Sequence, residues 1–122
     1  MTTQRTQLGQ AGEDAAVAFL EHEGYQILRR NFRNKFGEID IIAKDRDTVC
    51  FVEVKTRTSE AYGSPFESVT KAKQRKIIYV ALSYLSAQRR EETNVRFDVV
   101  SVILGDEEGP QVEIIKNAFE AN

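Results

Sequence analysis

Two short stretches of alternating residues, separated by four polar ones, constrain the fold of this 122-residue chain more than any other feature. In residues 38–44, Ile39, Ile41 and Ala43 are expected on one face, with Glu38, Asp40 and Ile42 on the other. In residues 49–56, Cys50, Val52 and Val54 share a face, and Val49, Phe51, Glu53 and Lys55 share the opposite one. A period of two marks a strand with two distinct faces. The link Asp45-Arg46-Asp47-Thr48 has the length of a hairpin turn. With Arg46-Asp47 as a two-residue turn, Asp45 lies opposite Thr48, and opposed residue numbers total 93 along the hairpin. Asp40 then faces Glu53 with Cβ atoms ~4.5–5.5 Å apart. Glu38 faces Lys55, and Lys55 shares the Glu53 face. A slip of one residue would break the apolar alternation of both strands.

The flanking segments extend this hairpin into a domain. Leu8, Ala11, Ala15 and Phe19 keep helical spacing over residues 7–23, widened by Val17 and Leu20, and Gly24 is a natural stop. Tyr25 and Ile27 begin a strand that runs to about Phe32, and the polar stretch 31–36 reads as a turn. After a loop over 56–63, Ser64-Pro65-Phe66-Glu67 has the order of a helix start: Ser at the cap, Pro first, Glu third. That helix runs to about Ala87, with a break admissible near Ser68. Residues 96–104 are a fourth strand, 105–110 a turn, and 112–115 a short last strand. A helix between the third and fourth strands requires those two to be parallel, while the first three are joined tightly enough to be antiparallel. The expected fold is one α/β domain spanning 1–122, with a mixed sheet, a core over about 7–104 and a tail over 105–122.

Composition removes several function classes. No apolar run approaches the ~20 residues of a membrane span, and residues 1–7 lack the apolar stretch of a secretory signal. Cys50 is the only cysteine and His22 the only histidine, so neither a disulfide nor a thiolate or histidine zinc site can form within one chain. No glycine-rich phosphate loop is present. A cytoplasmic, reduced protein is expected, and any metal would be a hard, oxygen-bound one. Cys50, Tyr79, Tyr84 and Phe66 are expected to pack, and His22 to sit near a helix end. Asp98, on the face of Val100 and Val102, is either a buried hydrogen-bonded acid or a site residue.

Asp40 across from Glu53, with Lys55 alongside and Val49 and Phe51 as an apolar floor, is the one constellation suited to chemistry. Two carboxylates so close repel unless a cation lies between them, and Mg²⁺ or Mn²⁺ suits oxygen donors. A metal-bound water beside an ammonium group can hydrolyse a phosphodiester. Glu13, on the first helix, is the remaining acid in reach of this end. The same Glu-x-Lys spacing is also that of an exposed strand carrying ion pairs. Arg29, Arg30, Arg33 and Lys35 form one basic run, and Lys71, Lys73, Arg75 and Lys76 another; with Arg57 they are the candidate nucleic-acid contacts. The net charge of −2 hides this. Residues 105–122 hold five acids against one lysine, a net of −4, so residues 1–104 carry +2.

Gly12-Glu13, Gly24-Tyr25, Asn31-Phe32-Arg33, Gly37-Glu38-Ile39-Asp40, Phe51-Val52-Glu53-Val54-Lys55-Thr56-Arg57, Arg96-Phe97-Asp98 and Asn117-Ala118-Phe119 resemble the bacterial YraN family of uncharacterised proteins over nearly the whole chain. That family is similar to archaeal Holliday junction resolvases, within the restriction-endonuclease-like PD-(D/E)xK nuclease superfamily. The resemblance implies an αβββαβ core. It places Asp40 at the motif's Asp, Glu53 at its second acid and Lys55 at its lysine. Glu13 resembles the helix glutamate of resolvase-type members, and Gln74 a glutamine that some members hold near the site. Ile39 stands where the motif has Pro, and Tyr79 follows Gln74 at a spacing unlike the exonuclease branch. The expectation is a Mg²⁺- or Mn²⁺-dependent endonuclease acting on DNA, branched or otherwise structured. Glu13, Asp40 and Glu53 would ligate the metal and Lys55 would assist the attacking water. Resolvase-like relatives imply a homodimer. The alternatives are a nucleic-acid-binding module of nuclease fold without activity, and a structural domain whose carboxylates are surface ion pairs.

Overall fold

The computed structural model describes residues 3–58, 69–89, 93–105 and 108–121. The elements are α1 (Thr3–His22), β1 (Gln26–Asn34), β2 (Gly37–Asp45), β3 (Thr48–Arg57), α2 (Lys71–Ala87), β4 (Asn94–Ile103) and β5 (Gln111–Phe119). The strands make one sheet in the order β1-β2-β3-β4-β5. β1, β2 and β3 are antiparallel neighbours, β3 and β4 are parallel, and β5 returns antiparallel on the far edge. This is the mixed αβββαβ arrangement that the element order requires, with β5 added. Among the described residues no helix is long and apolar enough to cross a membrane.

Local chemistry closes each element. Gly24, at φ +94°, ends α1: its N–H donates to the Glu21 carbonyl at 3.0 Å, and the Tyr25 N–H to Leu20 at 2.9 Å. That pair of bonds is the Schellman closure available to glycine, with Leu20 and Tyr25 buried in one cluster. The β2–β3 turn has two residues, Arg46 and Asp47, with Asp45 paired to Thr48. α2 starts at Lys71, where Thr70 accepts the Lys73 N–H. The expected start at Ser64–Glu67, and Phe66 with it, lie outside the described residues.

The sheet is covered on both faces. Under α2, Ile39, Ile42, Val49, Phe51 and Phe97 meet Ile77, Val80, Ala81, Tyr84 and Leu85. Under α1, Ile41, Ala43, Cys50, Val52, Val100 and Val102 meet Ala16, Leu20 and Tyr25. β3 obeys its alternation throughout. β2 does not: Ile39 lies under α2 with Ile42, whereas alternation placed it with Ile41 and Ala43. The cause is Asp40. The β2–β3 register follows the total of 93 from Asp45/Thr48 to Ile41/Val52 and stops there. Beyond it the Asp40 side chain, not a β2 carbonyl, accepts the Val54 N–H, at 2.8 Å. A side chain bonded across the ladder no longer stands perpendicular to the sheet, and β2 continues with β1 alone (Phe32 opposite Ile39). The expected facing of Glu38 and Lys55 is therefore not formed. Glu38 instead takes the Arg33 guanidinium at 2.9 Å.

Two strands are longer than expected. β1 continues through Phe32, whose ring meets Tyr84 edge-on at 5.2 Å, so the turn shrinks to Lys35 and Phe36. β5 extends to Phe119, which stacks on Phe97 at 5.0 Å. Tyr84 packs as expected. Tyr79 does not: it is 57% exposed, tilted against Phe36.

Gly12 fixes how closely α1 approaches β3. A Cβ there would collide with Thr56 Oγ1. Gly12→Ala should therefore lower stability by about 1–3 kcal/mol, the usual result of overpacking. Thr56→Ala in the same chain should recover part of the loss. Denaturant unfolding of both variants reads this, and an unchanged midpoint for Gly12→Ala would contradict it.

Candidate functional site

The opened end of the β2–β3 hairpin brings Asp40 and Glu53 together. Glu53 sits under α2 with Val49 and Phe51, as its strand parity requires, and is only 8% exposed. Asp40 is half-buried, in the gap where the ladder ends. Burial, then the neighbouring Glu53 charge, push the Asp40 carboxyl up to about 7. The Val54 N–H and the Lys73 charge oppose this and are outweighed, and Asp40 also hydrogen-bonds Glu53. Two carboxyl groups in contact form a donor set that a divalent cation can take over.

This shift has a consequence for the metal-free protein. Folded Asp40 keeps its proton to about pH 7, whereas an unfolded aspartate loses it near pH ~3.9. Between those values the folded state binds more protons, so Asp40's contribution to stability falls as pH rises through that window and stays low above it. Asp40→Asn, unfolded in chelator, should gain stability relative to wild type as pH rises from about 4 to about 7. A stability difference independent of pH would contradict the shift.

Two lysines from different elements converge on Glu53. Lys73 Nζ lies 2.5 Å from Glu53 Oε1, and Lys55 Nζ lies 3.9 Å from the same oxygen. Burial, then the hydrogen bond and charge of Lys73, lower the Lys55 pKa. For Lys73 burial acts the same way, but its hydrogen bonds to Glu53 and Lys55 and the acids' charges dominate, and the shift is upward. Lys55 is thus the ammonium that releases its proton first, beside a buried carboxylate. An ammonium so placed can orient a water and offset negative charge developing on it.

Glu13 reaches this end from α1. It is buried, and its Oε1 accepts from Arg30 Nε at 2.8 Å and Asn31 Nδ2 at 3.1 Å. Glu13, Asp40, Asn31, Arg33, Glu38 and Thr56 line one pocket of about 520 Å³. Among the described residues no three acids, histidines or cysteines lie close enough together to hold a metal ion. Asp40 and Glu53 are the pair in contact, and Glu13 faces the same space as Asp40.

The other candidates separate. Gln74 donates to the Val69 carbonyl at 3.1 Å and lines a different recess with Lys71 and Arg75, so the structure does not bring it to the pair. Arg30 is bound to Glu13 and Asp14, and Arg33 to Glu38. Arg29 lies over the Phe32 ring and Lys35 over Phe36. Much of the first basic run is therefore already engaged within the chain. In the second, Lys71, Arg75 and Lys76 are exposed, and Lys73 turns inward. Arg57 is half-buried at the end of β3. Lys73 as the partner of Glu53 was not foreseen. The signal existed: a helical crossover returns antiparallel to its strand, so the first turn of α2 must stand over the end of β3 that carries Glu53.

Asp98 lies on the other face of the sheet, under α1, where β4 pairs it with Val52. It is fully buried, accepting from Arg96 at 2.9–3.2 Å and from the Asn117 N–H at 2.9 Å. Arg96 also reaches Tyr25 Oη at 2.7 Å and Asp45 at 3.1 Å. Asp98 is the buried, hydrogen-bonded acid of the two readings. Cys50 is in the core, and burial, then the Asp98 charge, push its thiol up to about 12.

Sequence comparison places this geometry among relatives. Residues 12–102 match the uncharacterised protein family UPF0102. A UPF0102 protein of Desulfosudis oleivorans is 54% identical over 122 residues, covering 100% of this chain and 97% of the relative. One from Syntrophus aciditrophicus is 51% identical over 118 residues, covering 97% and 92%. One from Geobacter metallireducens is 50% identical over 120 residues, covering 98% of each. The chain belongs to the UPF0102 (YraN) family.

Proposed function

We propose that this protein is a divalent-metal-dependent endonuclease of the cytoplasm that hydrolyses phosphodiester bonds in DNA, with branched or structured DNA as its substrate class. The observation that carries this reading is the Asp40–Glu53 contact at the opened end of a hairpin, with Lys55 on the Glu53 face. The resemblance of these three residues to the PD-(D/E)xK motif supports it. A Mg²⁺ or Mn²⁺ ion held by Asp40 and Glu53, with Glu13 across the pocket, would lower the pKa of a water and offset charge on the phosphate. The chain's own residues do the rest. Asp40 is aimed by the Val54 N–H. Lys55, partly desolvated, positions the attacking water and offsets the charge that develops as it attacks. The exposed Lys71, Arg75 and Lys76 hold backbone phosphates, a contact that depends on salt and not on sequence. A four-way junction has two symmetric cleavage points, which a homodimer would meet.

A divalent-ion titration with junction, flap, single-stranded and duplex DNA in parallel tests this. Cleavage should require Mg²⁺ or Mn²⁺, vanish in chelator, and be fastest on the branched substrates. Salt-dependent binding with no cleavage of any substrate under any ion would favour a binding module instead.

A further inference from the structure

Glu53 has more positive charge against it than a buried carboxylate needs. Its Oε1 is engaged by both Lys73 and Lys55, although the residue is only 8% exposed. The two lysines are not equivalent. Lys55 stands on β3, between the β2–β3 hairpin and its parallel neighbour β4, with a side chain 20% exposed. Lys73 stands in the first turn of α2, its N–H fixed by Thr70 Oγ1 at 3.2 Å and its side chain 40% exposed. Its backbone is anchored while its ammonium has water to retreat into. Three basic residues, Lys71, Arg75 and Lys76, are exposed on the same stretch of helix.

A divalent cation that binds Glu53 Oε1 would meet the Lys73 ammonium at hydrogen-bond distance. Two positive charges brought against one carboxylate oxygen at that separation repel each other. We propose that Lys73 is a resident counter-ion of the site: it holds Glu53 in the metal-free protein and is displaced by the divalent cation. The inference rests on the Asp40–Glu53 pair being the metal site. Without metal, the Lys73 ammonium neutralises a buried acid that would otherwise face Asp40 with only the more distant Lys55 ammonium beside it. With metal, Lys73 swings to the exposed side of α2 and joins the phosphate-facing lysines. Metal affinity is reduced by the fraction of molecules in which Lys73 occupies the carboxylate, so removing that ammonium tightens metal binding.

Calorimetric titration of Mn²⁺ into the purified full chain tests this, using wild type, Lys73→Met, Lys73→Gln, Lys73→Arg, Glu53→Gln and the remote charge control Lys116→Met, each checked for folding by circular dichroism. Lys73→Met and Lys73→Gln should bind Mn²⁺ about tenfold more tightly than wild type. Lys73→Arg and Lys116→Met should stay near wild type, and Glu53→Gln should lose binding. Binding only in the Lys73→Met and Lys73→Gln proteins would support the inference as well. Unchanged or weaker binding in both, with Glu53→Gln still abolishing it, would overturn the counter-ion role and leave the metal site standing. Equal tightening in Lys116→Met would reduce the effect to net charge and overturn it too. No Mn²⁺ binding by any of the proteins would remove the metal site and the counter-ion role together.

Discussion

Asp40→Asn should lower DNA cleavage by about a hundred- to a thousandfold, the scale on which removing one preorganised electrostatic group acts, and should leave the fold intact. The asparagine side chain has the same shape, and its carbonyl oxygen can accept the Val54 N–H as the carboxylate does. What it lacks is the charge that, with Glu53, would hold a cation. Lys55→Ala should produce a loss of similar size for a different reason. It removes the ammonium whose pKa is lowered beside Glu53, and with it the group that would place the water. Single-turnover cleavage of a junction substrate at saturating metal measures both. Wild-type rates in either variant would remove that residue from the chemistry.

The second large effect is on stability and lies on the opposite face of the sheet. Asp98→Ala should destabilise the protein by about 3–5 kcal/mol, as expected when one partner of a buried ion pair is removed. The carboxylate is fully buried and accepts both from the Arg96 guanidinium and from the Asn117 N–H. Its loss leaves the guanidinium facing only Asp45 and Tyr25, and leaves the N–H without its acceptor. Asn117 has φ +55°, at the register shift where β5 passes Phe97 and Val99, so the bond to Asp98 also holds that irregular turn of backbone. Replacing both partners, as Asp98→Leu with Arg96→Met, should cost less than Asp98→Ala alone. Urea denaturation measures these differences. A loss below about 1 kcal/mol for Asp98→Ala, the range of an ordinary surface change, would show that the network contributes little.

What could be read from the residues depended on whether periodicity was the controlling force. The hairpin register followed from the apolar alternation and a two-residue turn, because a slip would have exposed both strands' cores. The same alternation assigned Glu53 and Lys55 to one face and Cys50 to the other. Gly24 marked the end of α1 because only its backbone freedom satisfies that closure. The departures arise where a side chain competes with the backbone. Asp40 bonds the Val54 N–H and breaks the β2 alternation, so Ile39 changes face. No count of apolar positions contains that bond. It also sharpens the reading of the site, since Asp40 is the residue at which the ladder opens. Charge pattern alone makes Lys73 one of four helix cations; its contact with Glu53 follows from the parallel β3–β4 crossover, which sets the first turn of α2 over Glu53. Charge pattern alone makes Arg30 and Arg33 phosphate contacts, but Arg30 is tied to Glu13 and Asp14 on the facing α1, and Arg33 to Glu38, its partner across the β1–β2 pair. The extent of β5 was missed because Phe119 is drawn along the sheet by Phe97, a partner on another strand.

In the proposed site Asp40 and Glu53 would together hold a divalent cation. Crystals soaked in Mn²⁺ and measured at a wavelength where manganese scatters anomalously test it most directly. A single strong anomalous peak is expected in contact with carboxylate oxygens of both Asp40 and Glu53, with Lys73 Nζ withdrawn from Glu53. A fully occupied Mn²⁺ peak elsewhere, with the Lys73–Glu53 pair intact and no peak between the two carboxylates, would contradict it.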